Sequence, residues 1–177
     1  MGRDPTLSEQ RELYARAVAE SGRMLDRLAA GYEADPDKRR DLRQDIHLQL
    51  WKSLAAFDGR CSLKTWTLRV AHNTAASYVI REQRRNSPLV SFEELEGILV
   101  RADQPKDISR DRALRDLQDL ILQLRPLDRQ IVISYLEEMD AASIAEITGL
   151  SAANVAMKIH RIKKVLAGRL RKEQMHE

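Results

Sequence analysis

The sequence predicts an all-α protein built as two small helical domains joined by an acidic linker. Three observations predict it. Leucine, arginine and alanine dominate, and these are strong helix formers. Apolar residues recur at helical spacing over long stretches, while the strict alternation of a half-buried strand is scarce. Aromatic residues make up only 5%, and breaks in the pattern fall at the few Gly and Pro positions.

The first helix is expected over about Leu7 to Gly31. Ser8 is its N-cap by residue type, Leu13, Ala17, Met24 and Leu28 form its apolar stripe, and Gly31 is read as its stop. Glu33 to Pro36 is a loop, because proline disfavours helix at the residue before it. Asp35 then caps a second helix with Pro36 at its first position. Leu42, Ile46, Leu50 and Leu54 recur every fourth residue, with Trp51 and Phe57 widening that face. Asp41, Gln44, Asp45 and Gln49 lie on the other side. Asp58-Gly59-Arg60 breaks the helix, and Leu63 to Arg85 forms a third. Its buried face is expected to use Leu63, Trp66, Val70, Ala71, Ala75 and Val79, and its end is the basic cluster Arg81, Arg84 and Arg85.

From Asn86 to Asp107 the helical period lapses. The stretch contains Pro88 and Pro105 and sets five acids (Glu93, Glu94, Glu96, Asp103, Asp107) against Arg101 and Lys106. This reads as a linker with at most a helical turn at Phe92–Leu95. Period returns in Leu114, Leu117, Ile121 and Leu124, is broken at Pro126, and resumes in Ile131, Tyr135 and Leu136. The division is therefore 1–86, linker 87–109 and 110–177.

Residues 141–166 carry the most specific local signal. A helix-turn-helix needs a small residue where its helices cross, glycine in the turn and branched apolar residues facing inward. Ala145, Gly149 and Val155 supply these in order, flanked by Ile144, Leu150 and Ile159. Ser151 can cap the second helix, whose inward stripe is Val155, Ile159, Ile162, Leu166 and Leu170. Asn154, Lys158, Arg161, Lys164 and Arg169 lie opposite. From Ser151 to Lys172 there are Lys and Arg but no Asp or Glu. Such a helix suits DNA: cations supply salt-sensitive affinity, and short polar groups near its start can reach base edges in the major groove. A solvated basic face on a helical hairpin is the plainer reading.

Composition narrows the remaining classes. With 43% hydrophobic and 32% charged residues, two cores are affordable, and the net charge of +3 is modest. Cys61 is the only cysteine, which fits a reducing cytoplasm and an ordinary packing or loop position. The polar start, MGRDPTLSEQ, is not a secretory signal, and no apolar run approaches the ~20 residues of a membrane span. His47, His72, His160 and His176 are scattered without metal-ligand spacing. No glycine-rich phosphate loop or nucleophile triad is present. The expectation is a cytoplasmic non-enzyme without cofactor, metal, small-molecule substrate or membrane insertion.

Two blocks fix a resemblance. DLRQDIHLQLW (41–51), AAFDGRCSLKTWTLRVAHN (55–73) and REQRR (81–85) resemble region 2 of the extracytoplasmic-function (ECF) sigma factors, and residues 124–166 resemble their region 4. The resemblance implies an alternative sigma factor: a region 2 helical bundle and a region 4 helix-turn-helix that join core RNA polymerase, direct it to promoter DNA and help melt the −10 element. It implies that Asp41, Leu42, Gln44, Asp45 and Leu48 face the polymerase clamp helices, a surface that alone could be a solvated helix face. It implies that Asp58, Gly59, Arg60 and Ser62 capture a base flipped from the stack. Lys64, Arg69, His72 and Asn73 are the nearby strand-contact candidates, and Arg81, Arg84 and Arg85 would meet duplex backbone. Trp66, within the apolar stripe, reads as core rather than as a stacking platform. The −35 reader would be Ser151, Ala152, Asn154, Lys158 and Arg161, with Arg161 equally able to clamp phosphate. The family commonly begins this helix with a lysine where this chain has Ala156.

The resemblance also implies a linker that threads toward the RNA exit path, against which a simple solubilising tether stands equal. It implies an anti-sigma factor as partner. The rival reading is a conventional helix-turn-helix regulator with a sensory amino-terminal domain, and a further one is a protein-interaction adaptor insensitive to salt.

Overall fold

The computed structural model describes residues 6–83, 89–101 and 110–170. These form eight α-helices with one 3₁₀ turn and, among the described residues, no β-strand beyond a single isolated bridge.

Helix α1 (Leu7–Tyr32) starts at Thr6 rather than Ser8, through a capping box in which Thr6 and Glu9 each accept from the other's backbone N–H. It runs through Gly31 to Tyr32. Gly31 is not a stop. A Cβ there would lie 2.7 Å from Ile133 Cδ1, so this glycine permits close approach of a helix from the other half of the chain. Helix α2 (Pro36–Ser53) has the expected start, with Asp35 accepting from the N–H groups of Asp37 and Lys38. Leu42, Ile46 and Leu50 are buried, and Leu54 continues the stripe into the 3₁₀ turn Leu54–Ala56. Helix α3 (Leu63–Gln83) packs on both α1 and α2. Trp66 stacks edge-on against Phe57 and donates to Ser53 Oγ at 3.0 Å, which makes it a packing residue.

The linker segment holds more structure than its sequence suggested. Helix α4 spans Phe92–Arg101, ten residues where a turn was expected. Phe92 and Leu95 are buried. Just before it, Val90 pairs in parallel with Leu124: its N–H donates to Gln123 O, and its carbonyl accepts from Arg125 N at 2.8 Å.

Helices α5 (Arg110–Gln123), α6 (Pro126–Leu136), α7 (Ala141–Thr148) and α8 (Ala152–Leu170) build the second half. Asp140 caps α7 by accepting from Ser143 N, and Gly149 ends it at φ +76°. Ser151 Oγ accepts from Asn154 N at the start of α8. Helix α6 is enclosed over all of 128–134, since α1 and α3 cover one side and α5, α7 and α8 the others.

The two halves dock through that helix. Arg129, 2% exposed, donates to the carbonyls of Tyr32, Leu122 and Leu124 and lies over the Tyr32 ring. Arg27 and Glu137 form a two-pronged ion pair, Gln118 donates to Ala30 O, and Arg69 donates to Glu146 O at 2.7 Å.

Candidate nucleic-acid interface

The turn of the helix-turn-helix has the chemistry its sequence requires. A φ of +76° at Gly149 lies in the left-handed region that disfavours a side chain, and the next residues turn directly into α8. Ile144 and Ile147 of α7 meet Val155, Ile159 and Ile162 of α8 in the buried cluster. That packing fixes the rotation of α8 and turns Ser151, Ala152 and Asn154 to solvent.

Lys158 and Arg161 lie on the same outward side but are engaged. Lys158 Nζ is 2.7 Å from Asp128 Oδ1 and 3.3 Å from Glu93 Oε1, and Arg161 Nη1 is 2.7 Å from the same Glu93 oxygen. Partial burial opposes charge on Lys158, yet its bonds to Asp128 and Glu93 prevail and hold the ammonium above its usual range. Burial likewise opposes charge on Glu93, but a backbone hydrogen bond and the two cations keep its carboxyl below the usual range. Asp128 also accepts from Phe92 N at 3.0 Å, so one buried carboxylate pins both the start of α4 and the Lys158 head group. Glu93, Asn154, Met157, Lys158 and Arg161 line a common crevice with Leu127 and Leu150.

In the first half, the loop 58–62 is exposed except for Cys61, which is half-buried. Gly59 adopts φ +76°. Asp58 accepts from Arg60 N at 3.1 Å and pairs with its guanidinium at 2.8 Å, so the loop closes on itself. Ser62 Oγ accepts from Thr65 N and starts α3. Lys64 and Asn73 are exposed on α3. Arg69 is half-buried and tied to α7. Arg81 is exposed beside the Tyr78 ring. Arg84 and Arg85 lie outside the described residues.

Two expected site residues are corrected by burial. His72 is 1% exposed: Nδ1 bonds Tyr32 Oη at 3.0 Å and Nε2 meets Ser134 Oγ at 3.2 Å, so in the docked arrangement the ring seals the two halves and reaches no strand. Burial drives its pKa down to about 3, leaving a neutral imidazole. Leu42 is fully buried among the α1–α3 core residues and cannot face a partner. Asp41, Gln44, Asp45 and Leu48 remain exposed on α2, Leu48 at 48%. Sequence reasoning missed Glu93 and Asp128 as neighbours of the reader helix. Glu93 and Asp128 precede Lys158 by 65 and 30 residues, separations no local pattern reports.

Among the described residues, no group of three or more His, Cys, Asp or Glu side chains gathers in a metal-holding cluster, and no helix is long and apolar enough to cross a membrane.

Comparison with known proteins agrees with both halves. The model of Sigma-70 region 2 matches residues 17–85, and that of Sigma-70, region 4 matches residues 114–166. The RNA polymerase sigma factor YlaC of Bacillus subtilis (strain 168) is 28% identical over 141 residues, covering 78% of this chain and 80% of that one. The ECF RNA polymerase sigma-E factor of Escherichia coli (strain K12) is 27% identical over 128 residues, covering 69% and 66%. In a solved structure of CnrH in complex with the cytosolic domain of CnrY, a chain 21% identical shares the fold, with a TM-score of 0.60 over 91% of this chain and 96% of that one. With regions 2 and 4 in order on one helical chain, and relatives that align across both, the chain belongs to the extracytoplasmic-function sigma factors of the sigma-70 family.

Proposed function

We propose that this chain is an alternative sigma factor that holds one promoter at two places while docked on core RNA polymerase. The observation that carries the reading is α8. Its buried stripe presents Ser151, Ala152 and Asn154 outward at the start of a helix free of acids over 152–170, on a chain whose residues 17–85 match region 2.

In this reading the working division is 1–86 for polymerase and −10 contacts, 87–109 as linker and 110–177 for the −35 element. Asp41, Gln44, Asp45 and Leu48 meet the clamp helices, where exposed polar groups beside one leucine suit a partly polar interface. The loop Asp58, Gly59, Arg60 and Ser62 receives an unstacked base, and Lys64, Asn73 and Arg81 hold the strand and its phosphates. Arg69 joins them only when the halves separate, because here it is spent on Glu146 O. Ser151, Ala152 and Asn154 read base edges of the −35 duplex, and Lys158 and Arg161 contact backbone. Every role is one of binding, and no catalytic step is assigned. The site of action is the cytoplasm. An anti-sigma factor is the expected inhibitor, and CnrH, captured with the cytosolic domain of CnrY, supports a protein partner that engages this fold.

Run-off transcription with bacterial core polymerase on a promoter library tests the reading. Start-site-specific RNA that depends on the chain is the expected result. Tight, sequence-specific DNA binding by the chain alone, with no RNA and no association with core polymerase, overturns it.

A further inference from the structure

Glu93 is not a stray surface acid. The residues on either side of it are anchored: Val90 pairs with the turn between α5 and α6, Phe92 and Leu95 are buried, and Asp128 accepts the Phe92 N–H. Glu94 pairs with Arg125 at 3.2 Å and, through Ser91 N, closes the first turn of α4. So held, a single Glu93 oxygen bridges the two cations of α8, at 2.7 Å from Arg161 Nη1 and 3.3 Å from Lys158 Nζ. The Arg161 contact has the length of a charge-assisted bond from a cation to a phosphate oxygen, about 2.7–2.9 Å, while the Lys158 contact is longer because its ammonium also bonds Asp128.

We propose that the linker helix α4 is a built-in decoy for the DNA backbone, with Glu93 occupying the position of a phosphate against Lys158 and Arg161 and so masking the −35 reader while the chain is free. The proposal rests on the reading of Lys158 and Arg161 as backbone contacts. An approaching duplex must expel Glu93 or meet its negative charge, and either event weakens binding. Docking on polymerase that draws the linker away from α8 releases both cations together. The linker then has two exclusive positions, one on its own reader helix and one on the polymerase, which ties DNA affinity to assembly.

The test is fluorescence-anisotropy binding of the full chain to a mixed-sequence duplex of about 25 base pairs at low salt, where backbone contacts dominate. Glu93→Gln keeps the volume and removes the charge. It is expected to tighten Kd about three- to tenfold and to steepen the salt dependence by about one to two counterions. Asp119→Asn, which removes an exposed acid on α5, controls for net charge and is expected to change Kd by less than about twofold. In a Lys158→Gln/Arg161→Gln background the gain from Glu93→Gln disappears. A Glu93→Gln effect no larger than that of Asp119→Asn, or one that persists without the two cations, overturns the decoy. Promoter-directed transcription separates the two ideas. If Lys158→Gln/Arg161→Gln abolishes RNA but Glu93→Gln leaves free-chain binding unchanged, the decoy alone falls. If that double variant transcribes at full level, the reading of the two cations as DNA contacts falls and takes the decoy with it.

Discussion

Gly31→Ala is a sharp probe of whether the two halves separate. The new methyl would sit 2.7 Å from Ile133 Cδ1 and 3.0 Å from Cγ1. Carbon atoms pack at about 3.5–4.0 Å, so Ile133 or the helix pair must yield by roughly 1 Å. Overpacking of this kind costs about 1–3 kcal/mol. Alanine also favours α1 itself by about 1 kcal/mol, but that gain is the same in docked and separated states and cancels between them. The docked state should therefore lose roughly 5- to 150-fold in population relative to the separated one. Ser134→Cys, in a Cys61→Ser background, places a thiol where Ser134 is 1% exposed against His72. Its labelling rate at limiting reagent reports the open fraction. The rate should rise by the factor above with Gly31→Ala and return toward the starting value when Ile133→Ala is added. An unchanged rate, or a rise that Ile133→Ala does not relieve, would refute the argument that Gly31 exists for close approach.

Three further outcomes are expected. The closed form keeps His72 neutral down to about pH 3, whereas a ring that meets water titrates near 6.5. The contribution of His72 to closure is therefore complete above pH 6.5, and the closure equilibrium constant falls about tenfold per unit as pH drops from there toward 3, so small-angle scattering should show expansion that His72→Gln flattens. Gly149→Ala places a side chain at φ +76°, which should lower stability by about 1–2 kcal/mol in denaturant titration, with Gly149→Asn milder. In promoter-library transcription, Asn154→Ala should relax −35 preference at the bases it reads, while Lys158→Ala should weaken all sites by a similar factor. Equal effects of both on every sequence would remove Asn154 as a reader.

Features set by neighbours within a turn or two could be read from the sequence. Asp35-Pro36, the Ala145–Gly149–Val155 spacing and the Leu42–Ile46–Leu50–Leu54 stripe each depend on local backbone geometry, and each appears as expected. Leu42 itself showed the limit: a residue cannot line both the core stripe and the outer surface of one helix, and its spacing already placed it inward. Gly31 carried an ambiguous signal, since glycine at a helix end and glycine at a helix crossing look alike until the partner helix is known. His72 was misread because its position on α3 gives no hint that Ser134 covers it. Helix α4 was underestimated because its apolar residues, Phe92 and Leu95, acquire a surface to bury against only when the α5–α6 turn arrives more than 25 residues later.

The enclosure of α6 has a consequence for how the molecule behaves once separated. A helix covered on every side would ordinarily become a sticky hydrocarbon cylinder if part of its cover lifted. Here the side facing α1 and α3 carries Arg129 and Ser134 as well as Ile133, and the hydrogen-bond partners of the cation are backbone carbonyls. Water can solvate that guanidinium and hydroxyl directly, which offsets the wetting of Ile133. Opening that crossing would therefore wet a mixed surface rather than a wholly apolar one, which limits its tendency to stick to neighbouring chains.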